Sequence, residues 1–507
     1  MQARRARRVV IMCGVTLGVA VGAAPASAGP IATTGLTQVS GGSPLAGCLG
    51  DQPTSGINFV NSEVEPWVAV DRSDTDNIVA AWQQDRWNNG GSRGIVSAFS
   101  HDGGVSWTIS AATKSSICTG GTAANGGNYE RASDPWVDVA PNGDMYLMSL
   151  SVDTNPGGFG TYPNAMLVMK STDGGATWSD PTTLKRDENP NVLNDKNSLT
   201  ADPHDSDFVY AVWDRLVSPV GESAPPNAFE NSVAFRGPAW FSRTTDGGAS
   251  WEPARKIFEP GTLNQTIGNQ IVVLPNGDLI DFFDLIHGTR NAPPGSRGFN
   301  IAFIRSTDRG ETWSRNARII DKHLVAEVTD PDTGQRHRTE SILPEVAVDP
   351  TSGRLYAVWQ DRRFTGRSAV AFTMSTDGGA TWTPTVKINQ TPALGNLNDQ
   401  GFTPSVHVAD DGTVGVTYYD FRNNTAGGGT DTDHWLAHCH AGCSNPANWT
   451  ENHVAGPFDS RQAPVARGFF LGDYMGLDNI GNAFTPFFIQ ANSAADPTNA
   501  FYAEVGP

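Results

Sequence analysis

Tyr474, in the string Gly472-Asp473-Tyr474, stands at a repeat position where earlier copies offer carboxylates or amides. A free phenol ionises near pH ~10. It serves as nucleophile or base only when a carboxylate or a cluster of arginines assists it. Both kinds of helper recur along the chain. Asp-Arg pairs come at Asp85-Arg86, Asp214-Arg215, Asp361-Arg362 and Asp420-Phe421-Arg422, while Glu63, Glu65, Asp134, Glu340, Glu345 and Asp473 stand at or just before apolar runs. Arginine forks suit carboxylates bidentately, and paired carboxyls suit proton transfer. The competing reading of the Asp-Arg pairs is an ion-pair belt between neighbouring repeats, since they recur with the repeat. Tyr474, Lys196 and Glu340 break the repeat and are the sharper candidates.

The elements that must position these residues are themselves repeated. One string occurs five times, at intervals of 62 to 73 residues: Ser100-His-Asp-Gly-Gly-Val-Ser-Trp107, Ser171-Thr-Asp-Gly-Gly-Ala-Thr-Trp178, Thr244-Thr-Asp-Gly-Gly-Ala-Ser-Trp251, Ser306-Thr-Asp-Arg-Gly-Glu-Thr-Trp313 and Ser375-Thr-Asp-Gly-Gly-Ala-Thr-Trp382. Asp-Gly favours a tight hairpin with positive φ. The carboxylate and hydroxyl bond turn amides, and the Trp anchors the turn. Pairs of short apolar runs joined by Gly/Asp/Asn turns occur seven times, as in Pro135-Trp-Val-Asp-Val139 with Met145-Tyr-Leu-Met148 across Pro141-Asn-Gly-Asp144. These read as strands.

The unit is strand A, turn, strand B, loop, strand C, box turn, strand D. This is a β-propeller blade, and seven pairs predict seven blades in an all-β chain. The sixth repeat lacks the box, with Trp449 standing for its tryptophan. The seventh ends after strand C at Phe501–Val505, so the segment near Gly35–Ser43 is expected to supply its fourth strand and close the ring. Starts of A and ends of B then share one end of the ring, opposite the box turns. The polar set named above is therefore predicted to converge at the channel mouth.

The recurring S/T-x-D-x-G-x-S/T-W string resembles the Asp box of the sialidase superfamily, the BNR-repeat propellers, over nearly the whole chain. That resemblance implies a glycoside hydrolase acting on a glycan. It implies Tyr474 as nucleophile with Glu65 or Glu345 as its partner, Asp134 as acid/base, and Arg86, Arg362 and Arg422 as the triad gripping a substrate carboxylate. Lys196 and Glu340 join as further substrate-binding residues. The chain departs from the family in lacking an early Arg-Ile-Pro or Arg-Leu-Pro string and in its seven rather than six blades. Asp boxes also occur in endoglucanases, exo-arabinanases and non-enzymatic propellers, so they speak to fold more than substrate. Two alternatives stay open: a polysaccharide lyase in which Tyr474 takes a proton beside a uronate carboxylate, and a binding module using Trp87, Phe364 and Trp240.

Arg4, Arg5, Arg7 and Arg8, an apolar run and Ala26-Ser-Ala28 predict an export signal over residues 1–28, leaving a single domain at 29–507 in a secreted protein. The net charge of −18 argues against nucleic-acid partners. No later segment has the roughly 20 apolar residues of a membrane span. Cys13 leaves with the signal. Cys48, Cys118, Cys439 and Cys443 allow three pairings, and Cys439 and Cys443 are close enough to clip their own loop, leaving Cys48–Cys118. No spacing matches a zinc or other metal site, no cofactor is indicated, and a monomer is expected.

Overall fold

Runs such as Ile78–Trp82 and Val209–Trp213 are β-branched and aromatic and are buried along their length. That composition suits strands covered on both faces. In the computed structural model, which describes residues 32–48, 56–154, 161–218, 236–288 and 295–506, they are the second strands of four-stranded antiparallel units, of which the first two are joined into one eight-stranded sheet by a single Ser92–Ala132 bridge. The export signal expected over 1–28 lies outside the described residues. The fold is all-β, and the helical elements among the described residues are short 3₁₀ turns.

The first sheet runs Glu63–Val70, Asn77–Arg86, Ser92–His101 and Thr108–Ile109. The second begins with Arg131–Val139, the third with Val192–Ala201, the fourth with Asn264–Val273, the fifth with Glu345–Val348 and the sixth with Gly401–Val408. Each continues as an antiparallel meander in chain order. The last runs Gly476–Ile480, Ala483–Ser493 and Asp496–Gly506, and its fourth strand is N-terminal: Ala32–Gln38 pairs antiparallel with Asp496–Gly506. First strands of successive sheets pack side by side, and that of the last packs against that of the first.

The recurring turns have one hydrogen-bond pattern. In the second sheet Asp173 accepts from the Thr177 amide at 2.9 Å and its hydroxyl at 2.6 Å, and Ser171 Oγ donates to Asp173 at 2.7 Å. The tryptophan that follows each turn reaches the preceding sheet. Trp178 Nε1 donates to Ser97 Oγ at 2.8 Å. Trp313 packs on Phe241 with ring centroids 5.6 Å apart, and Trp382 on Phe303 at 6.3 Å. Trp449 of the sixth sheet packs on Phe372 at 4.9 Å, in the place expected for it. Trp107 of the first sheet reaches Tyr502 of the last at 5.3 Å.

Cys48 and Cys118 are bonded, with Cα atoms 5.5 Å apart, as are Cys439 and Cys443, at 5.7 Å. No helix among the described residues is long and apolar enough to cross a membrane. One element has no counterpart in the repeat. Val328–Thr329, Arg336–Arg338 and Phe469–Phe470 form a small sheet, the last two strands parallel.

Candidate active site

A kink near the start of the first strand recurs in five sheets. The register shifts between Val64 and Trp67, Ser133 and Trp136, Asp195 and Ser198, Ile267 and Gln270, and Phe402 and Ser405. Each bulge holds one residue in the left-handed region: Glu65 at φ 53°, Asp134 at 54°, Lys196 at 46°, Gly268 at 70° and Thr403 at 48°. A side chain there costs of order 1–3 kcal/mol, and bulges re-aim side chains. The consequence is visible in three consecutive sheets, whose re-aimed residues meet.

Lys196 Nζ lies 3.8 Å from Glu65 Oε1, 3.8 Å from Asp134 Oδ2 and 2.5 Å from Asp473 Oδ2. Arg338, from the small sheet, sets its fork on Asp473, Nε to Oδ1 at 3.0 Å and Nη2 to Oδ2 at 2.5 Å, with Glu340 at 3.7 Å from Nε. Gln83 Nε2 donates to Glu65, and Arg86 donates to Gln83 Oε1. The guanidiniums of Arg86 and Arg338 lie 4.9 and 4.4 Å from the Phe470 ring centroid. Every one of these side chains is buried.

Burial sets the proton affinities and the neighbours then separate them. Glu65 is pushed well above the usual carboxyl range by burial and by Asp134, which outweigh Lys196. Asp473 is also buried, yet Arg338 and Lys196 hold it well below that range. Lys196 stays firmly charged because Asp473, Asp134 and Glu65 outweigh its burial. Glu345, buried with only the Gln270 amide to favour its charge, is raised to about 8. One carboxyl that holds its proton beside another that does not is an arrangement suited to acid/base chemistry.

Tyr474 is buried where Trp67 and Trp136 stack, 5.8 and 5.5 Å from its ring. Its hydroxyl donates to the Pro135 carbonyl at 3.1 Å. Burial, followed by the charges of Glu65, Asp134, Asp473 and Glu345, raises its pKa well above 10. The structure thus brings Tyr474, Glu65, Asp134, Glu345, Lys196, Glu340 and Arg86 to one centre.

It does not bring the other two arginines there. Arg422 pairs with Asp420 and with Glu451 at 2.8 Å and lies 3.8 Å over Trp435, partners on its own sheet's second, fourth and third strands. Arg362 is exposed at the end of its strand. Arg422 thus pairs within its own sheet and not, as the ion-pair reading expected, between neighbouring repeats. Arg215 does bridge neighbouring sheets: it pairs with Asp187, on the fourth strand of the second sheet, at 2.7 Å, and lies 4.9 Å from Trp240. Trp87 is buried beneath Arg131, and Phe364 is half-buried beside a groove of about 500 Å³ with Lys387 and Gln390. Among the described residues no group of three or more His, Cys, Asp or Glu is placed to hold a metal.

Sequence reasoning missed Arg338 and Phe470. Both sit in insertions outside the repeat, and the only trace was the charged run Arg336-His-Arg-Thr-Glu340 just upstream of a first strand.

No family model matches the chain. A sialidase of Micromonospora viridifaciens is 26% identical over 251 residues, which are 44% of this chain and 35% of that protein. The chain resembles a sialidase. Solved structures similar to it include a Hadza microbial sialidase, at 14% identity over 84% of this chain and 76% of that one with TM-score 0.45. They also include the NanB sialidase of Streptococcus pneumoniae, at 11% identity over 94% and 99% with TM-score 0.44, and an α-L-arabinofuranosidase of Fusarium graminearum, at 13% over 93% and 97% with TM-score 0.43. Where the sialidase resemblance implied three arginines, the cations gathered at this centre are Lys196, Arg338 and Arg86.

Proposed function

We propose that this chain is a secreted glycoside hydrolase of the sialidase-like kind, its residues 29–507 forming one propeller of seven blades. The cyclic packing of first strands, the tryptophans reaching into the preceding sheet and the N-terminal strand completing the last sheet support the ring. Two disulfides favour an oxidising compartment. The observation that carries the function is the meeting of Glu65, Asp134 and Lys196, held at strained backbone positions in three consecutive sheets, with Tyr474 and Asp473. Strain of this kind persists where a site needs it.

In this reading Tyr474 attacks the anomeric carbon and Glu65, the carboxylate that weighs most on its hydroxyl, takes the phenol proton. Burial raises the carboxyl and the phenol alike, so Glu65 takes the proton only in its ionised form. Asp134 serves as acid/base, Glu345 as an alternative partner for the phenol, and Lys196 with Arg86, Arg338 and Glu340 as the binding groups. The substrate is a glycan, and no cofactor enters. The testing experiment is a screen of the purified protein against sialyl, arabinosyl and glucosyl chromogenic substrates, with Glu65→Gln alongside. Release from at least one substrate, lowered a hundredfold or more by Glu65→Gln, supports the reading. No release from any, or an unsaturated product absorbing in the ultraviolet, overturns it, the latter in favour of a lyase.

A further inference from the structure

The cations at the centre already hold a carboxylate, and it is the protein's own. Asp473 takes the two-pronged grip of Arg338 and the Lys196 ammonium together, the geometry of a bound acidic ligand. The grip is covered: the side chains of Lys196, Arg338 and Asp473 are 3%, 4% and 0% exposed. The cover is the small sheet. Arg338 ends one of its strands, and Asp473 follows Phe469–Phe470 by three residues. Phe470 lies against the guanidinium of Arg338.

The covering segment is bounded by two glycines, Gly468 at φ 148° and Gly472 at φ 145°. A Cβ on Gly468 would lie 2.6 Å from the Arg336 carbonyl oxygen, and one on Gly472 would lie 2.7 Å from the Glu65 amide nitrogen. Glycine is needed at both ends for the segment to seat so closely.

We propose that this is a self-occupied state. Asp473 stands in for the carboxylate of an acidic sugar, and the segment from Gly468 to Asp473 swings out, carrying Phe470, when that sugar enters. The proposal rests on the glycan reading above and adds its regulation. It has a physical motive. Asp473 makes the shortest contacts of both cations, the others lying at 3.7–3.8 Å; losing it from a dry centre is unfavourable, and exchanging one carboxylate for another avoids that loss. The cost falls on affinity: a tethered carboxylate competes at high effective concentration, and apparent binding drops by the fraction of molecules that are closed.

The test compares the full-length protein with its Asp473→Asn variant, using N-acetylneuraminate and, as an uncharged control, arabinose. The amide keeps the shape of Asp473 and loses the charge that competes. The variant is expected to bind N-acetylneuraminate at least tenfold faster and tighter than the parent, with arabinose unaffected. Equal or weaker binding by the variant overturns self-occupation and leaves the glycan reading standing. Binding of N-acetylneuraminate by neither protein overturns the acidic-sugar occupant alone, since the glycan reading falls only if no sialyl, arabinosyl or glucosyl substrate is cleaved. A second measurement needs no substitution. In the parent, hydrogen exchange at Arg336–Arg338 and Phe469–Phe470 should quicken at least tenfold when N-acetylneuraminate is bound, and unchanged or slower exchange there refutes the opening.

Discussion

Asp281 lies fully buried on the second strand of the fourth sheet, and neither carboxylate oxygen has a hydrogen-bond partner. Burial, then the neighbouring Asp214, raises its pKa well above the usual range. A carboxyl whose folded pKa is raised gives its full stabilisation below about pH 4 and loses it as pH rises through the folded value. Glu345, raised to about 8, has the same sign. Asp281→Asn is therefore expected to stabilise the protein by about 1–3 kcal/mol at pH 8 and to leave it unchanged near pH 4. Urea melts at the two pH values check this, and a loss at pH 8 would contradict it. Tyr474 was legible as a candidate because it breaks the repeat. Its surroundings were not, since the stacking of Trp67 on Trp136 depends on bulges in two first strands that composition does not announce.

The box turn and its tryptophan are the best-read elements of the chain, because side chain and backbone satisfy each other within eight residues. Asp173→Ala removes the bonds to Thr177 and Ser171, and a loss of about 1–2 kcal/mol is expected with turnover unchanged. Trp449→Ala, in the sheet without a box, should cost about 3–5 kcal/mol, as Trp313→Ala should, because both rings pack into the preceding sheet. A Trp449→Ala protein as stable as the parent would show that its ring does not replace the box tryptophan. The cover of Arg336–Arg338 and Phe469–Phe470 was illegible for the opposite reason. It is a parallel pairing of residues over 130 positions apart, such as His337 with Phe469, and nothing local specifies it. That is also why the arginine implied by family resemblance was sought at Arg362 and Arg422, while Arg338 occupies the centre.

Two features fasten the N-terminal segment. The strand Ala32–Gln38 joins the last sheet, and Cys48–Cys118 spans 70 residues, against 4 for Cys439–Cys443. Loop-closure entropy assigns about 4 kcal/mol to the first bond and about 2 to the second. Cys48→Ser is accordingly expected to lower the melting temperature more than Cys439→Ser, and scanning calorimetry on the two variants measures it. The repeat made the sheets and their order readable, since each A–B pair carries its own turn signal. The centre is a property of the assembled sheets alone: Glu65, Asp134 and Lys196 meet because first strands of successive sheets pack side by side, and Asp473, several hundred residues from Glu65, joins them from just before the first strand of the last sheet. The most direct measurement compares turnover of the best chromogenic glycoside by the parent, Tyr474→Phe and Asp173→Ala. Tyr474→Phe should lose at least a hundredfold in kcat at an unchanged melting temperature, and Asp173→Ala should melt earlier at full kcat. Full activity in Tyr474→Phe would contradict a catalytic centre built around that phenol.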